Sequence, residues 1–174
     1  LAVESHNRAE KAWAENRFKD QIVPVTIKSR KGDVVFEKDE HFRAGAKVED
    51  IQKIKPVFVK ENGTVTAGNA SGINDAASAV VLMEAGAAKA RGIKPLARLV
   101  SYAHAGVEPE YMGIGPVPAS RLALQKAGLT MADIDVIEAN EAFAAQACAV
   151  AHDLHFDPAK LNPNASGIGL CHPI

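Results

Sequence analysis

Val136 to Gln146, V-I-E-A-N-E-A-F-A-A-Q, carries a short apolar run into an alanine-rich segment, with Asn140 and Glu141 at the junction. Ile134, Val136 and Ile137 suit a pleated, buried strand, whereas Ala142 to His155 holds too much alanine and too few breakers for anything but helix. The polar pair therefore falls at the carboxyl edge of a strand. In sheets flanked by helices that edge is where ligand crevices open, because the turning chain leaves polar groups unpaired. The residues alone leave two readings open: Asn140 belongs to a site, or it merely caps the helix.

Within that helix, alanine recurs at 142, 144, 145, 147, 149 and 151. A helix lying on a single sheet needs one apolar stripe, whereas one between two layers must be slim and apolar around most of its circumference. The expectation is a helix buried between two sheets, with Cys148 on it as a small core residue.

Toward the amino end, Ser120 opens a helix that Gly128 closes, and Thr130 to Asp133 starts a short one before the strand at Ile134. Residues His104 to Pro118 contain too many glycines and prolines for regular structure, and Pro95 to Ala103 reads as a strand. Before it, Thr64 to Asp75, T-V-T-A-G-N-A-S-G-I-N-D, is a small-residue loop leading into a helix over Ala76 to Ala90 with Asn74 or Asp75 at its cap. Such a loop lets backbone approach a ligand or makes a tight turn; it lacks the Lys of a P-loop and the spacing of the dinucleotide fingerprint. The alternation of helix and strand predicts an α/β sheet with helices on its faces.

Before Gly63 lie 24 of the 41 charged residues, which gives the first stretch the character of a solvent-facing arm over a compact body. Ala2, Ala9, Ala12 and Trp13 recur at helical spacing and predict an amphipathic helix ending near Asn16. Ile22 to Ile27 and Val34 to Phe36 form a hairpin turning at Lys31-Gly32-Asp33, and Val48 to Ile54 makes two helical turns before Pro56.

The chain has 174 residues, 47% hydrophobic and 24% charged, with net charge −1, a globular composition that favours neither disorder nor nucleic-acid binding. It has no apolar run of membrane-spanning length and no signal-peptide pattern at its amino end. Cys148 and Cys171 fit a reducing compartment better than a disulfide framework, and the expectation is a cytoplasmic protein. The chain begins without Met inside a helical pattern and stops just after His172-Pro173, so it reads as a piece of a longer protein. Cys171 and His172 are neighbours on extended chain and point to opposite faces, so the His needs a partner from elsewhere.

Taken in order, several motifs resemble the thiolase family of acetyl-CoA acetyltransferases and 3-ketoacyl-CoA thiolases, in its later part. They are R-F-K-D-Q-I-V-P at Arg17 to Pro24, the Thr64 to Asp75 loop, M-G-I-G-P-V-P-A-S at Met112 to Ser120, N-E-A-F at Asn140 to Phe143, and H-P at His172 and Pro173. The resemblance implies an α/β fold of layered α-β-α-β-α type of which this chain is a part. Residues 1–63 would be the end of a loop domain covering coenzyme A, and 64–174 an incomplete C-terminal domain. It implies acyl transfer through a Cys thioester, with a carbon–carbon bond made or broken between acyl groups carried on coenzyme A, the nucleophilic Cys coming from a part of the protein not in this chain. His172 matches the family's catalytic His, a base for the thiolate. Asn140 matches the Asn whose amide holds an oxyanion-hole water. Ser71 matches a contact to the pantetheine amide; Ala67, Phe58 and Ile73 match apolar wall positions; Met112 lies near the acyl end and Arg43 on the adenine side. Coenzyme A thioester enters as substrate, with no resident cofactor or metal, no nucleic acid or membrane partner, and a homo-oligomer, dimer or tetramer, as the assembly. The alternative is a thiolase-like binding or scaffold module without chemistry. The sequence departs from the family at Cys171, where glycine usually precedes the His, and at Asn164-Ala165-Ser166-Gly167 in place of N-G-G-A, where a side chain would crowd the site or strain a backbone needing positive φ.

Overall fold

The computed structural model describes residues 1–172. Helix α1, Ala2–Ala14, buries Ala2, Ser5, His6, Ala9 and Ala12 on one face. It ends where Asn16 turns left-handed at φ 56, and the N–H of Arg17 donates to the carbonyl of Ala12 at 2.9 Å, closing the last turn. Strands β1, Val25–Ile27, and β2, Val34–Phe36, pair antiparallel with Val25 opposite Phe36. Their turn is held by Ser29, whose hydroxyl donates to the carbonyl of Gly32 at 2.7 Å, with Gly32 at φ +116. A single turn, α2, Val48–Ile51, follows.

Helix α3 spans Ala85–Ala90, much shorter than the expected Ala76 to Ala90. Residues 76–83 are non-helical and exposed, Val80 at 82% and Val81 at 92%. Their β-branched side chains resist helix, and Glu84 starts the helix by accepting from the N–H of Ala87 at 2.8 Å. No helix therefore opens behind the Thr64 to Asp75 loop, which removes the dipole a phosphate would need there.

Helix α4, Pro116–Ala127, starts four residues before Ser120, because proline at the first helical position fits the helix it was expected to break. Gly128, at φ 68, closes it as expected, and a 3-10 turn over Pro109–Ile114 precedes it. Thr130 and Asp133 form a reciprocal capping box around the 3-10 turn Met131–Asp133. Helix α5, Ala144–Asp153, packs through Val150 on Val117 of α4, with Leu154, Ile114, Met131 and Phe156 completing the cluster.

Three expectations give way. Pro95 to Ala103 has no ladder among the described residues, and the Ile134 to Ile137 run makes one parallel bridge, Ile137 to Leu161. The only sheet among the described residues is the hairpin. Helix α5 has one fully buried residue, Val150, and Cys148 is exposed, so among the described residues no second layer covers it. The amino-terminal stretch is not merely an arm, because α1 carries five of the buried residues while residues 73–84 lie in solvent. Among the described residues no helix is long and apolar enough to cross a membrane.

Candidate active site

The small-residue loop is shaped by its own side chains. Asn69 accepts from the N–H of Thr66 at 2.8 Å and donates to the carbonyl of Thr64 at 2.8 Å, and the Thr66 hydroxyl accepts from the N–H of Gly68 at 3.1 Å. Beyond it, residues 69–73 run extended and are stitched at both ends. Ala70 pairs antiparallel with Phe143, the N–H of Ser71 donating to Ala142 at 3.0 Å and that of Ala144 to Asn69 at 2.9 Å. Ile73 pairs parallel with His172, whose N–H donates to Gly72 at 3.1 Å. One short segment thus carries the Asn-Glu-Ala-Phe turn at one end and the histidine at the other.

Ser71, Ile73, Asn140 and His172 are therefore brought together, and Phe58 joins them through an edge contact of its ring with Phe143 at 6.3 Å. Asn140 is exposed, His172 and Ser71 half-buried, and Ile73 wholly exposed. Ala67 lies exposed in the loop, whose neighbouring Gly68 faces Ile51 and Ile54. Met112, 78% exposed, reaches the group only indirectly, through Gly113, whose carbonyl accepts from Gln146 of α5 at 3.1 Å. Arg43 is likewise indirect: its N–H donates to Nδ1 of His6 at 3.3 Å, and His41, two residues before it, lies against Gly72. Pro173 lies outside the described residues.

Behind the turn is a buried polar cluster. Glu141, 3% exposed, accepts from the Ser5 hydroxyl at 2.5 Å, from the N–H of Ile168 at 3.4 Å and from Asn162 Nδ2 at 3.4 Å. Ser5 accepts from the N–H of Gly169 at 3.0 Å. Asn162 brackets Ala139, donating to its carbonyl and accepting from its N–H, both at 2.8 Å. No motif in the sequence points to Ser5 or Asn162. The available signal is that residues 2, 5, 9 and 12 share a helical stripe, where a serine among alanines marks a buried polar contact.

The departures at 165–171 have structural consequences. Ala165 is buried at φ 80, a left-handed conformation that costs an L-residue roughly 1–2 kcal/mol. Partial burial, and then the charge of Asp39, push the Cys171 thiol above its ordinary range, which keeps it protonated and a poor nucleophile. Burial, and then the Glu141 carboxylate, raise Glu138. Among the described residues no group of three or more His, Cys, Asp or Glu is arranged to hold a metal ion. The chemistry on offer is an exposed amide and a half-buried imidazole on chain joined to the two ends of one short segment, groups able to hold a water and to serve as base or oxyanion donor.

The chain matches the family model described as "Thiolase, N-terminal domain" over residues 1–86 and that described as "Thiolase, C-terminal domain" over 93–174. It is 68% identical over 173 residues to the beta-ketothiolase BktB of Cupriavidus necator, covering 99% of this chain and 44% of that protein. The Bacillus anthracis acetyl-CoA acetyltransferase structure superposes with TM-score 0.93 at 52% identity, covering 100% of this chain and 44% of that one. Human mitochondrial 3-ketoacyl-CoA thiolase in complex with CoA gives 0.91 at 45%, covering 99% and 42%. The chain thus spans less than half the length of the relatives it matches. From motifs, pairing and superposition together, the chain belongs to the thiolase family and forms part of its α/β fold.

Proposed function

We propose that the protein carrying this chain is an acyltransferase on coenzyme A thioesters, condensing or thiolytically cleaving 3-ketoacyl groups, with acetoacetyl-CoA as the substrate to try first. The observation that carries this reading is the joining of the Asn140 turn and His172 to opposite ends of one five-residue segment. In the proposed cycle, written for cleavage, His172 takes the proton of a Cys thiol supplied outside this chain and the thiolate attacks the 3-keto carbon. The C2–C3 bond then breaks, leaving the acyl group on the Cys and acetyl-CoA as an enolate whose oxygen accepts from a water fixed by Asn140. The proton returns to the enolate carbon, and coenzyme A thiol takes the acyl group and frees the Cys. Ser71, Ala67, Phe58 and Ile73 line the pantetheine path, Met112 the acyl end and Arg43 the adenine end. The exposed apolar faces of Phe58, Ile73 and Met112 suit a ligand that covers them. The names of the relatives support the reading and give no support to a scaffold without chemistry.

The same proposal includes a cytoplasmic homo-oligomer, dimer or tetramer, serving fatty acid metabolism, with residues 1–63 ending a loop domain over coenzyme A and 64–174 in the C-terminal domain. Free Cys148 and Cys171 accord with a reducing compartment. The test is His172→Ala in the full-length protein, assayed for acetoacetyl-CoA thiolysis. Loss of the base should lower kcat by about 10²- to 10⁴-fold, and normal cleavage by the variant would overturn the assignment.

A further inference from the structure

Glu141 is a buried carboxylate whose hydrogen-bond partners are donors without a cation among them: the Ser5 hydroxyl at 2.5 Å, the N–H of Ile168 at 3.4 Å and Asn162 Nδ2 at 3.4 Å. A neutral or apolar residue is ordinarily the cheaper occupant of such a place. What the carboxylate adds is connection. It ties the turn to the backbone of Ile168, four residues before His172, and through Ser5 it ties both to α1, because the same hydroxyl accepts from Gly169. Asn140 is gripped on either side: Asn162 fixes Ala139 before it and the Glu141 cluster fixes the residue after it. Gly167 closes the third side, since a Cβ there would lie 2.8 Å from the Asn140 side-chain oxygen.

We propose that Glu141 is a positioning residue that holds the Asn140 side chain and the chain leading to His172 in mutual register, with Ser5 of α1 as its anchor. The inference rests on the acyl-transfer reading above. Glu141 touches no reacting atom in it. Its effect reaches the chemistry through Asn140, whose amide must hold a water within a few tenths of an ångström of where an oxyanion forms.

A double-mutant cycle in the full-length protein tests this, with acetoacetyl-CoA and coenzyme A as substrates. Glu141→Gln keeps the shape but turns an N–H₂ toward one of the donors, and Ser5→Ala removes the anchor and leaves the carboxylate. Each should lower kcat about 10- to 100-fold while the KM for coenzyme A stays within about twofold. On an Asn140→Ala background, Glu141→Gln should add less than about threefold, since little is left to position. An equal fall in both backgrounds would mark Glu141 as a general structural residue and overturn the proposal, as would unchanged kcat in both single variants. Should Glu141→Gln not fold, Ser5→Ala completes the same cycle alone. A wild-type protein without thiolysis refutes the acyl-transfer reading and this one with it. An active wild type whose variants behave additively refutes the positioning role only.

Discussion

Replacing Gly167 by alanine is the sharpest single perturbation of the site. The added Cβ would lie 2.8 Å from the Asn140 side-chain oxygen and 2.9 Å from the Glu141 carbonyl oxygen, where ordinary contact begins at 3.4 Å. Something must therefore yield by about half an ångström, and Gly167 has no positive φ, so no backbone strain confuses the result. The carbonyl sits in a segment pinned by the bonds of Ser71 to Ala142 and of Ala144 to Asn69, which leaves the Asn140 side chain as the group that gives. Overpacking of this kind costs about 1–3 kcal/mol, equivalent to a melting decrease of roughly 2–12 °C for a domain of this size. If a 1 Å misplacement costs about 10²-fold in rate, half of that costs about tenfold in kcat. Two comparators calibrate it. Alanine at Gly113 meets the flexible Gln146 side chain at 2.9 Å and should cost less on both measures; alanine at Gly106 meets nothing within 4 Å and should cost nothing in kcat. Thiolysis kinetics and thermal melts of the three variants in the full-length protein decide the matter. A Gly167→Ala variant with wild-type kcat and melting, or one no worse than Gly106→Ala, would refute the reasoning.

Two further outcomes concern stability. Burial, and then the charges of Arg43 and His41, hold the His6 imidazole below its ordinary range, so the fold favours the neutral ring that accepts from the Arg43 N–H. Stability from this source is complete above about pH 6.5 and is lost as pH falls toward the lower folded value. Melting temperature measured from pH 7 to 5 should drop less steeply for His6→Asn than for wild type, and equal slopes would contradict the assignment. Residues 1–174 expressed alone should be catalytically inert and should bind an apolar dye without near-ultraviolet dichroism, because Ile73, Val81 and Leu96 are more than 90% exposed; a cooperative, dye-silent monomer would refute the second part and measurable acyl exchange the first.

Local chemistry made several elements legible from sequence. The periodic alanines of α1, the hairpin turn at Gly32, the left-handed Gly128 and the Thr130–Asp133 box each depend on a few adjacent residues. That the Asn140 turn and His172 join one segment follows from nothing local in the sequence, because residues that far apart meet only through pairing with the chain at 70–73. Two kinds of reading failed, one outweighed by local chemistry and the other dependent on a partner outside the segment. Ala76 to Met83 has helix-forming composition, but two adjacent valines and a later cap at Glu84 outweigh it. The alternation of Pro95 to Ala103 describes a strand edge and cannot say whether a neighbouring strand is present. For α5 the run of alanines describes a slim helix but cannot say what packs on it, and among the described residues Val150 alone is buried while Cys148 is exposed. The glycine departures were legible as strain, and Ala165 at φ 80 bears that out.

The hydrogen bond from Gly169 to Ser5 joins residues separated by 164 positions, and that from Ser5 to Glu141 spans 136. Closing a loop of 136 residues costs about 2 kcal/mol more in entropy than closing one of ten, so the cluster behind the turn is among the slowest-forming parts of the molecule. During synthesis at about 5–20 residues per second, Ser5 emerges roughly 8 to 33 s before Gly169 does. Over that interval His6 can already meet the Arg43 N–H, whereas Ser5 waits for Glu141 and then for Gly169. A nascent chain stalled before Glu141 would present the Ser5 side of α1 to solvent or to a chaperone, and the segment carrying His172 would be the last to take its place.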